Sequence, residues 1–252
     1  QVNIKSYCSS KNFDFVLRSN NDTLVSNFGV TTYSPGDSLL LQNNLHINQN
    51  VTFNGAYVQC EPGVKITVDS SKTLTITNAS HFLACSNMWR GIEVKKGGRL
   101  VIDSSSVIEG AQRAVNLLEG SNYRLSKCTF NKNYVGVQIN GFTHAPISGT
   151  EPYNKLQFDC SKTSGAQDTL PSPYPGQMPP SGIKGFAGIQ IEDTYLDLFY
   201  LGLDSINFKN LSNGVFCNDA FLRIEKCLFR NIIADTLYDS LVLVNGAGVN
   251  IQ

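Results

Sequence analysis

The chain has 252 residues, of which 20 are Lys or Arg and 20 are Asp or Glu, so its formal net charge is zero. This balance gives no electrostatic reason to expect nucleic acid or an anionic membrane as a partner. Only 16% of the residues are charged, and the abundance of neutral polar residues and glycine favours β structure with many turns. No apolar stretch approaches the roughly 20 residues that a membrane-spanning helix needs.

The first 36 residues do not follow the pattern of the rest of the chain and are predicted to form an N-terminal cap. A solenoid needs a cap because its first coil would otherwise expose unpaired backbone groups and an open core. Gln1 begins the chain without a charged and then apolar leader, which is typical of a mature exported protein after removal of its signal peptide. A chain cut at this point is the alternative. We expect a secreted protein or one on the outer cell surface.

Residues 37–252 contain a repeated unit of about 22–26 residues, in which a small residue is followed by an apolar, a polar and an apolar residue. The copies begin at Gly91, Ala114, Gly136, Gly188, Gly214 and Gly248. A second short pattern precedes most copies and ends at Ile108, Phe130, Phe208 and Phe229. Stacking such units pairs each strand in parallel with its copy in the next coil. The sequence therefore predicts an all-β, right-handed parallel β-helix.

Alternation along the strands places two columns of side chains inside the predicted helix and one polar row outside it. One inward column contains Val94, Leu117, Ile139, Ile191, Cys217 and Ile251, and the other contains Ile108, Phe130, Phe208 and Phe229. The outward row contains Glu93, Asn116, Gln138 and Gln190. The alternative is an antiparallel β-sandwich, which would place Asn-Gly hairpin turns between alternating runs. Two of the four Asn-Gly pairs lie instead at the edges of the repeated strand.

Residues 141–187 interrupt the repeat and are predicted to be a loop insertion. They hold seven of the nine prolines, and proline cannot donate a hydrogen bond to a β-ladder. Loops of this length are usually functional or disordered.

Near the C-terminal end of the sequence, Gly248 starts a further coil and the sequence then stops. We therefore expect the helix to be truncated here, with a longer full protein or a partner that covers the edge.

Residues 84–94 read ACSNMWRGIEV, and the segments GGRL (97–100) and IEGA (108–111) follow. Together they resemble the Bacteroidetes-type secreted proteins with right-handed parallel β-helix repeats, which have a pectate-lyase-like fold. The resemblance covers about residues 40–140 well and 186–252 more loosely. It implies export through the type IX secretion machinery, but that family has no single activity. The C-terminal sorting domain usual in the family is missing from this sequence.

The same resemblance implies O-glycosylation, because such bacteria modify Asp-Ser or Asp-Thr when an apolar residue follows. Six positions match this short pattern, and chance produces several copies. The candidate acceptors are Thr23, Ser38, Thr169 and Thr236. We expect one or two sites to be used, above all Thr169, because it lies in the predicted loop.

The cysteines follow the repeat rather than a disulfide framework. Cys60 and Cys85 lie one coil apart, and adjacent coils are separated by about 4.8 Å, within the Cα range of a disulfide. A Cys60–Cys85 disulfide and a pair of stacked free thiols both remain open. Cys128, Cys217 and Cys227 fall on inward columns, where a free thiol acts as a small apolar side chain. No Cys-x-x-Cys motif occurs and the three histidines share no ligand spacing, so neither a metal site nor a cofactor is predicted.

A rigid solenoid presents long polar faces, which favours binding over catalysis. The candidate glycan contacts are Trp89, Glu93, Asn116, Gln138, Gln190 and Tyr174. Aromatic rings can stack on sugar rings, although the position of Trp89 just before a predicted strand favours a turn residue folded over the coil edge. We expect a non-catalytic module for adhesion, glycan contact or scaffolding, whose partner is a polysaccharide or a cell-surface glycan.

The alternative is a polysaccharide-active enzyme of the lyase or esterase type, with its site on a sheet face near the loop insertion. Galacturonase-type hydrolysis needs aspartates on both sides of the scissile bond, and no Asp-Asp pair occurs. Calcium-dependent lyases need several carboxylates on one face. The alternation of side chains along a strand would instead divide Glu192, Asp193 and Asp197 between the two faces and a turn. Residues 167–170 match a pectin esterase motif, but Asp168 falls in the proline-rich loop and the other motifs of that family do not follow.

Overall fold

The computed structural model describes residues 12–17, 23–27, 29–141, 153–161, 170–173, 183–198, 206–224, 226–233 and 248–251. These residues form 24 β-strands and one 3-10 turn at Val25–Asn27. The first nine strands are β1 (Phe15–Leu17), β2 (Thr23–Leu24), β3 (Thr32–Tyr33), β4 (Ser38–Leu41), β5 (Leu45–Ile47), β6 (Val51–Asn54), β7 (Tyr57–Cys60), β8 (Lys65–Val68) and β9 (Thr73–Thr77). The next nine are β10 (His81–Ala84), β11 (Trp89–Val94), β12 (Arg99–Ile102), β13 (Val107–Glu109), β14 (Ala111–Leu117), β15 (Asn122–Ser126), β16 (Thr129–Asn131), β17 (Val135–Asn140) and β18 (Tyr153–Asn154). The last six are β19 (Gln157–Asp159), β20 (Gly185–Leu198), β21 (Ile206–Lys209), β22 (Leu211–Ile224), β23 (Cys227–Arg230) and β24 (Val249–Ile251).

The strands stack into three parallel sheets, because the chain visits each sheet in turn and pairs every strand with its copy in the next coil. The first sheet runs β1-β4-β7-β10-β13-β16-β19-β21-β23, the second β2-β5-β8-β11-β14-β17-β20-β22-β24, and the third β3-β6-β9-β12-β15-β18. This architecture confirms the predicted all-β parallel β-helix. Across the described residues, no helix has the length and apolar character needed to cross a membrane.

The register confirms both predicted inward columns. Val94 pairs with Leu117 and Leu117 with Ile139, and the column continues through the other predicted members. Its members are fully buried up to Cys217, whereas Ile251 is 64% exposed on the last described strand. In the other column, Phe158 pairs with both Phe130 and Phe208, a position that the sequence analysis missed.

A stack of phenylalanine rings explains the small residue of the repeat. The rings of Phe130, Phe158, Phe208 and Phe229 follow one another with centroid separations of 5.0, 5.1 and 4.9 Å and nearly parallel planes. A Cβ atom at Gly188 would lie 2.4 Å from Cδ1 of Phe208, which belongs to the next coil. Gly136 and Gly214 stand in the same relation to Phe158 and Phe229. In these three copies the motif begins with glycine because a ring from the next coil occupies the space of a side chain.

Two predicted boundaries need correction. The predicted cap of residues 1–36 contains β1, β2 and β3, which pair in parallel with β4, β5 and β6. The helix therefore begins inside that range, where Leu17 and Tyr33 already belong to the core. The predicted insertion of residues 141–187 contains β18 and β19, which pair with β15 and β16. Prolines flank this coil rather than replace it.

Part of the proline-rich stretch packs against an earlier coil. The N–H of Met88 donates a hydrogen bond to the carbonyl of Ser172 at 2.8 Å, and Nδ2 of Asn87 donates to the carbonyl of Pro173 at 3.2 Å. Leu170 is buried, and its N–H donates to the carbonyl of Ile183 at 2.7 Å. Residues 170–173 therefore lie at the corner between the first and second sheets, next to the start of β11.

The hypothesis of a Cys60–Cys85 disulfide, one of the two alternatives left open by the sequence, is wrong. Cys60 is a fully buried free thiol. The ladder pairs Cys60 with Ala84, so Cys85 lies one residue further along. Since neighbouring side chains on a strand point to opposite faces, a shift of one residue separates the two sulfur atoms. Cys128 and Cys217 are buried free thiols as predicted, and burial raises the pKa of the Cys217 thiol to about 11. Cys227 is a free thiol that is only partly buried.

Candidate functional site

The outer face of the second sheet carries the predicted polar row. Glu93 pairs with Asn116, Asn116 with Gln138, and Gln138 with Gln190 along four successive strands. Parallel strands are about 4.8 Å apart, so the row extends over roughly 15 Å. The structure thus brings together four of the six residues singled out as glycan contacts.

Side-chain hydrogen bonds link this row into one network. Nδ2 of Asn116 donates to Oε2 of Glu93 at 3.5 Å, and Nδ2 of Asn140 donates to Oδ1 of Asn116 at 2.9 Å. Nε2 of Gln138 in turn donates to Oδ1 of Asn140 at 3.0 Å. Oε1 of Gln138 is buried and accepts no hydrogen bond from the described residues. The amides are therefore held in defined orientations by their neighbours.

A groove of about 320 Å³ opens at one end of this row, across β8, β11 and β14. Its lining residues are Lys65, Arg90, Gly91, Ile92, Glu93, Gln112, Arg113 and Asn116. Nζ of Lys65 lies 2.9 Å from Oε1 of Glu93, so an ion pair closes one wall. The side chains of Arg90 and Arg113 are exposed to solvent.

A glycine shapes the floor of the groove. Gly91 has a φ of +102°, and a Cβ atom there would lie 1.6 Å from the carbonyl oxygen of Arg113. The pairing of β11 with β14 shifts register between Gly91 and Ile92, which marks a β-bulge. No other residue type fits this backbone without rearrangement. The floor is consequently bare main chain between the side chains of Lys65 and Arg113.

A tyrosine of the next coil interacts with one residue of the groove. Tyr134 is half-buried, and its ring stacks on Phe186 at a centroid distance of 5.5 Å. Burial raises the pKa of Tyr134, while the nearby positive charge of Arg113 acts in the opposite direction. The phenol of Tyr134 and the guanidinium of Arg113 therefore interact electrostatically, although Tyr134 is not one of the residues that line the groove.

Trp89 does not take part in the site, and its predicted role as a glycan contact is wrong. The side chain is fully buried, its ring stacks on Phe82, and Nε1 donates to the carbonyl of Glu109 at 2.9 Å. A ring inside the core cannot stack on a sugar, and it is not folded over the coil edge either. Tyr174 lies outside the described residues.

The basic side chains of the groove, Lys65, Arg90 and Arg113, and the neighbouring Gln112 were not among the predicted contacts. Arg90 and Arg113 stand immediately before the small residues Gly91 and Ala114, and Gln112 stands one residue earlier than Arg113. This position was visible in the sequence. Only the bulge at Gly91 decides that these side chains face the same groove.

The described residues include no group of three or more His, Cys, Asp or Glu side chains able to hold a metal ion. Of the predicted O-glycosylation sites, Ser38 has its hydroxyl donating to Oδ2 of Asp14 at 2.7 Å. Thr23 lies in β2, and Thr169 and Thr236 fall outside the described residues. Modification at these four positions stays a prediction.

Comparisons of this chain with protein-family models, with curated proteins and with solved structures found no match. Of the resemblance described above, the parallel β-helix is confirmed by the structure. The bacterial group and the type IX secretion route stay predictions. The functional interpretation therefore depends on the groove itself.

Proposed function

We propose that this chain is a non-catalytic module that binds a glycan in the groove on the outer face of the second sheet. The observation that carries the proposal is the wall formed by Glu93 and Asn116, which presents a carboxylate and an amide side by side at 3.5 Å. Sugar hydroxyls both donate and accept hydrogen bonds, so they need a surface with both kinds of partner. Gln112 adds a second amide to the same groove.

The network that orients these groups also supports binding. Asn116 is held between Glu93 and Asn140, and Glu93 is held in addition by Lys65. Side chains that are already ordered lose little conformational entropy when a ligand arrives, whereas ordering a mobile side chain costs about 0.5–1.5 kcal/mol. The stacked strands beneath them add a rigid scaffold. A preorganised polar groove is what recognition of a hydroxylated ligand requires.

The single carboxylate of the groove favours binding over glycoside hydrolysis. Glycoside hydrolysis generally uses two carboxyl groups separated by about 5–9.5 Å. Among the described residues that line the groove, Glu93 is the one carboxylate, and its Oε1 pairs with Lys65. A single carboxylate held by a lysine lacks the acid and base partners of that reaction.

We also propose that the module works outside the cell or on its surface, in adhesion or as a rigid scaffold. The low fraction of charged residues and the neutral polar surface support this setting. Intact-mass measurement of the protein from its natural source tests it. We expect sugar-sized mass additions that a Thr169→Ala variant reduces, and an unmodified chain would contradict the predicted glycosylation.

A glycan array with purified protein tests the site. Asn116→Ala should weaken glycan binding by about threefold to tenfold, the equivalent of one net hydrogen bond. Gln157→Ala, which removes an exposed amide from the outer face of the first sheet, is the matched control and should bind as the wild type does. Equal losses in the two variants would refute the site. Release of reducing ends from a bound polysaccharide would refute the non-catalytic assignment.

A further inference from the structure

We infer that Cys85 forms a disulfide with Cys8, and that this bond ties residues 9–13 across the outer face of the first sheet. The inference is independent of the proposed glycan groove, which lies on the second sheet. It is carried by the state of Cys85, by the length of chain that precedes β1 and by the burial of outward-facing side chains between the two.

Cys85 differs from the other cysteines that the structure describes. Its sulfur is disulfide-bonded. Five of the seven cysteines are instead free thiols, namely Cys60, Cys128, Cys160, Cys217 and Cys227. The remaining cysteine is Cys8, which lies outside the described residues. A disulfide of Cys85 within this chain therefore requires Cys8 as its partner.

The side chain of Cys85 points away from the core. The N–H of Cys85 donates to the carbonyl of Cys60 at 3.0 Å, so the ladder of the first sheet continues through this residue. The preceding Ala84 packs against the core, and neighbouring side chains on a strand point to opposite faces. The sulfur of Cys85 is therefore on the outer side of the sheet, where a segment that crosses this face can reach it.

The chain before β1 is long enough to reach Cys85. Phe15 is in register with Phe82 through β4 and β7. Asp14 and Cys85 are consequently three strands and four residues apart, which corresponds to about 20 Å. The six residues from Cys8 to Asp14 span roughly 20 Å when extended, and a disulfide adds about 4–7 Å between Cα atoms. Since the chain bends at Asp14, a nearly straight segment can leave β1 and close this distance.

Buried side chains on the outer face mark the same path. Leu40 and Gln59 alternate with core residues of β4 and β7 and so point outward, yet they are only 5% and 8% exposed. Arg230, in the same outer row on a later coil, is exposed. A straight line from Asp14 to Cys85 passes between Leu40 and Gln59, because these two residues lie on the intervening strands. The segment held by the disulfide covers them.

The bond forms by thiol–disulfide exchange. The thiolate of one cysteine attacks an oxidised disulfide, such as oxidised glutathione or a disulfide oxidoreductase, and releases its first sulfur as a thiol. The thiolate of the other cysteine then attacks the mixed disulfide and releases the second sulfur. The oxidant thus takes up the two electrons and the two protons that Cys8 and Cys85 lose. Disulfides persist in oxidising compartments, which agrees with the proposed setting outside the cell.

Non-reducing peptide mapping by mass spectrometry tests the pair. The whole chain is refolded in a buffer of oxidised and reduced glutathione, alkylated in denaturant and digested. We expect five alkylated cysteines and one linked peptide pair that holds Cys8 and Cys85, in an intact chain about 2 Da lighter than the reduced one. Seven alkylated cysteines, a bond from Cys85 to any other cysteine, or disulfide-linked dimers would overturn the inference.

Hydroxyl-radical footprinting tests the path of the segment. Cys8→Ser should raise the labelling of Leu40 severalfold from that of a side chain only 5% exposed, because nothing then holds the segment over it. Reduction of the wild type should have the same effect. Cys227→Ser removes a partly buried free thiol from β23 and is the matched control, which should label as the wild type does. Equal labelling of Leu40 in the two variants would refute the crossing of the first sheet.

Discussion

Replacing Gly188 by alanine tests whether the phenylalanine stack explains the glycine at the start of the repeated motif. The new Cβ would lie 2.4 Å from Cδ1 and 2.7 Å from Cε1 of Phe208, and 2.9 Å from the carbonyl oxygen of Gly214. Relaxed carbon–carbon contacts lie at about 3.5–4.0 Å, so the ring must move by roughly 1 Å. Phe158 and Phe229 lie 5.1 and 4.9 Å from Phe208 and oppose that movement. Overpacking of this kind costs about 1–3 kcal/mol.

The free energy of unfolding is measured by urea denaturation, monitored by circular dichroism and by the fluorescence of the buried Trp89. A double-mutant cycle with Phe208→Ala isolates the clash. Phe208→Ala alone should cost about 3–5 kcal/mol because it leaves a cavity in the stack. In that background Gly188→Ala should cost clearly less, since the ring has gone and only the 2.9 Å contact with the carbonyl oxygen of Gly214 remains. If Gly188→Ala destabilises both backgrounds equally, the ring does not explain the small residue.

Two further outcomes are expected. Asn133→Ala should lower the free energy of unfolding by about 2–4 kcal/mol, because the buried amide accepts from the N–H of Ala111 at 2.8 Å and donates to the carbonyl of Ile108 at 2.9 Å. Thermal unfolding measures this change, and the exposed Asn122→Ala, with little expected effect, is the control. Burial raises the pKa of Cys217 from 9.0 to about 11, so its contribution to stability is complete below pH 9 and is lost as the pH rises to 11. Urea titrations across this range should show a shallower decline in Cys217→Ala, and identical declines would contradict the assignment.

The sequence by itself determined the fold and the core. Alternation along short strands and a repeat of nearly constant length were enough to place Val94, Leu117 and Ile139 in one column and Glu93 and Asn116 in one outward row. Both signals are local to each coil and recur in the next. An inward residue therefore stays inward wherever the repeat is recognised.

The tertiary structure alone decided the lateral neighbours, because these depend on turn lengths and bulges that the repeat does not encode. Cys60 pairs with Ala84 rather than with Cys85, an offset of one residue. Strand pairing places Phe158 in the phenylalanine stack, although the neighbouring prolines had indicated a loop. The register shift at Gly91 brings Arg113 to the groove that holds Glu93. Since moving a strand by one residue reverses the face of every side chain, the groove exists only once the register is set.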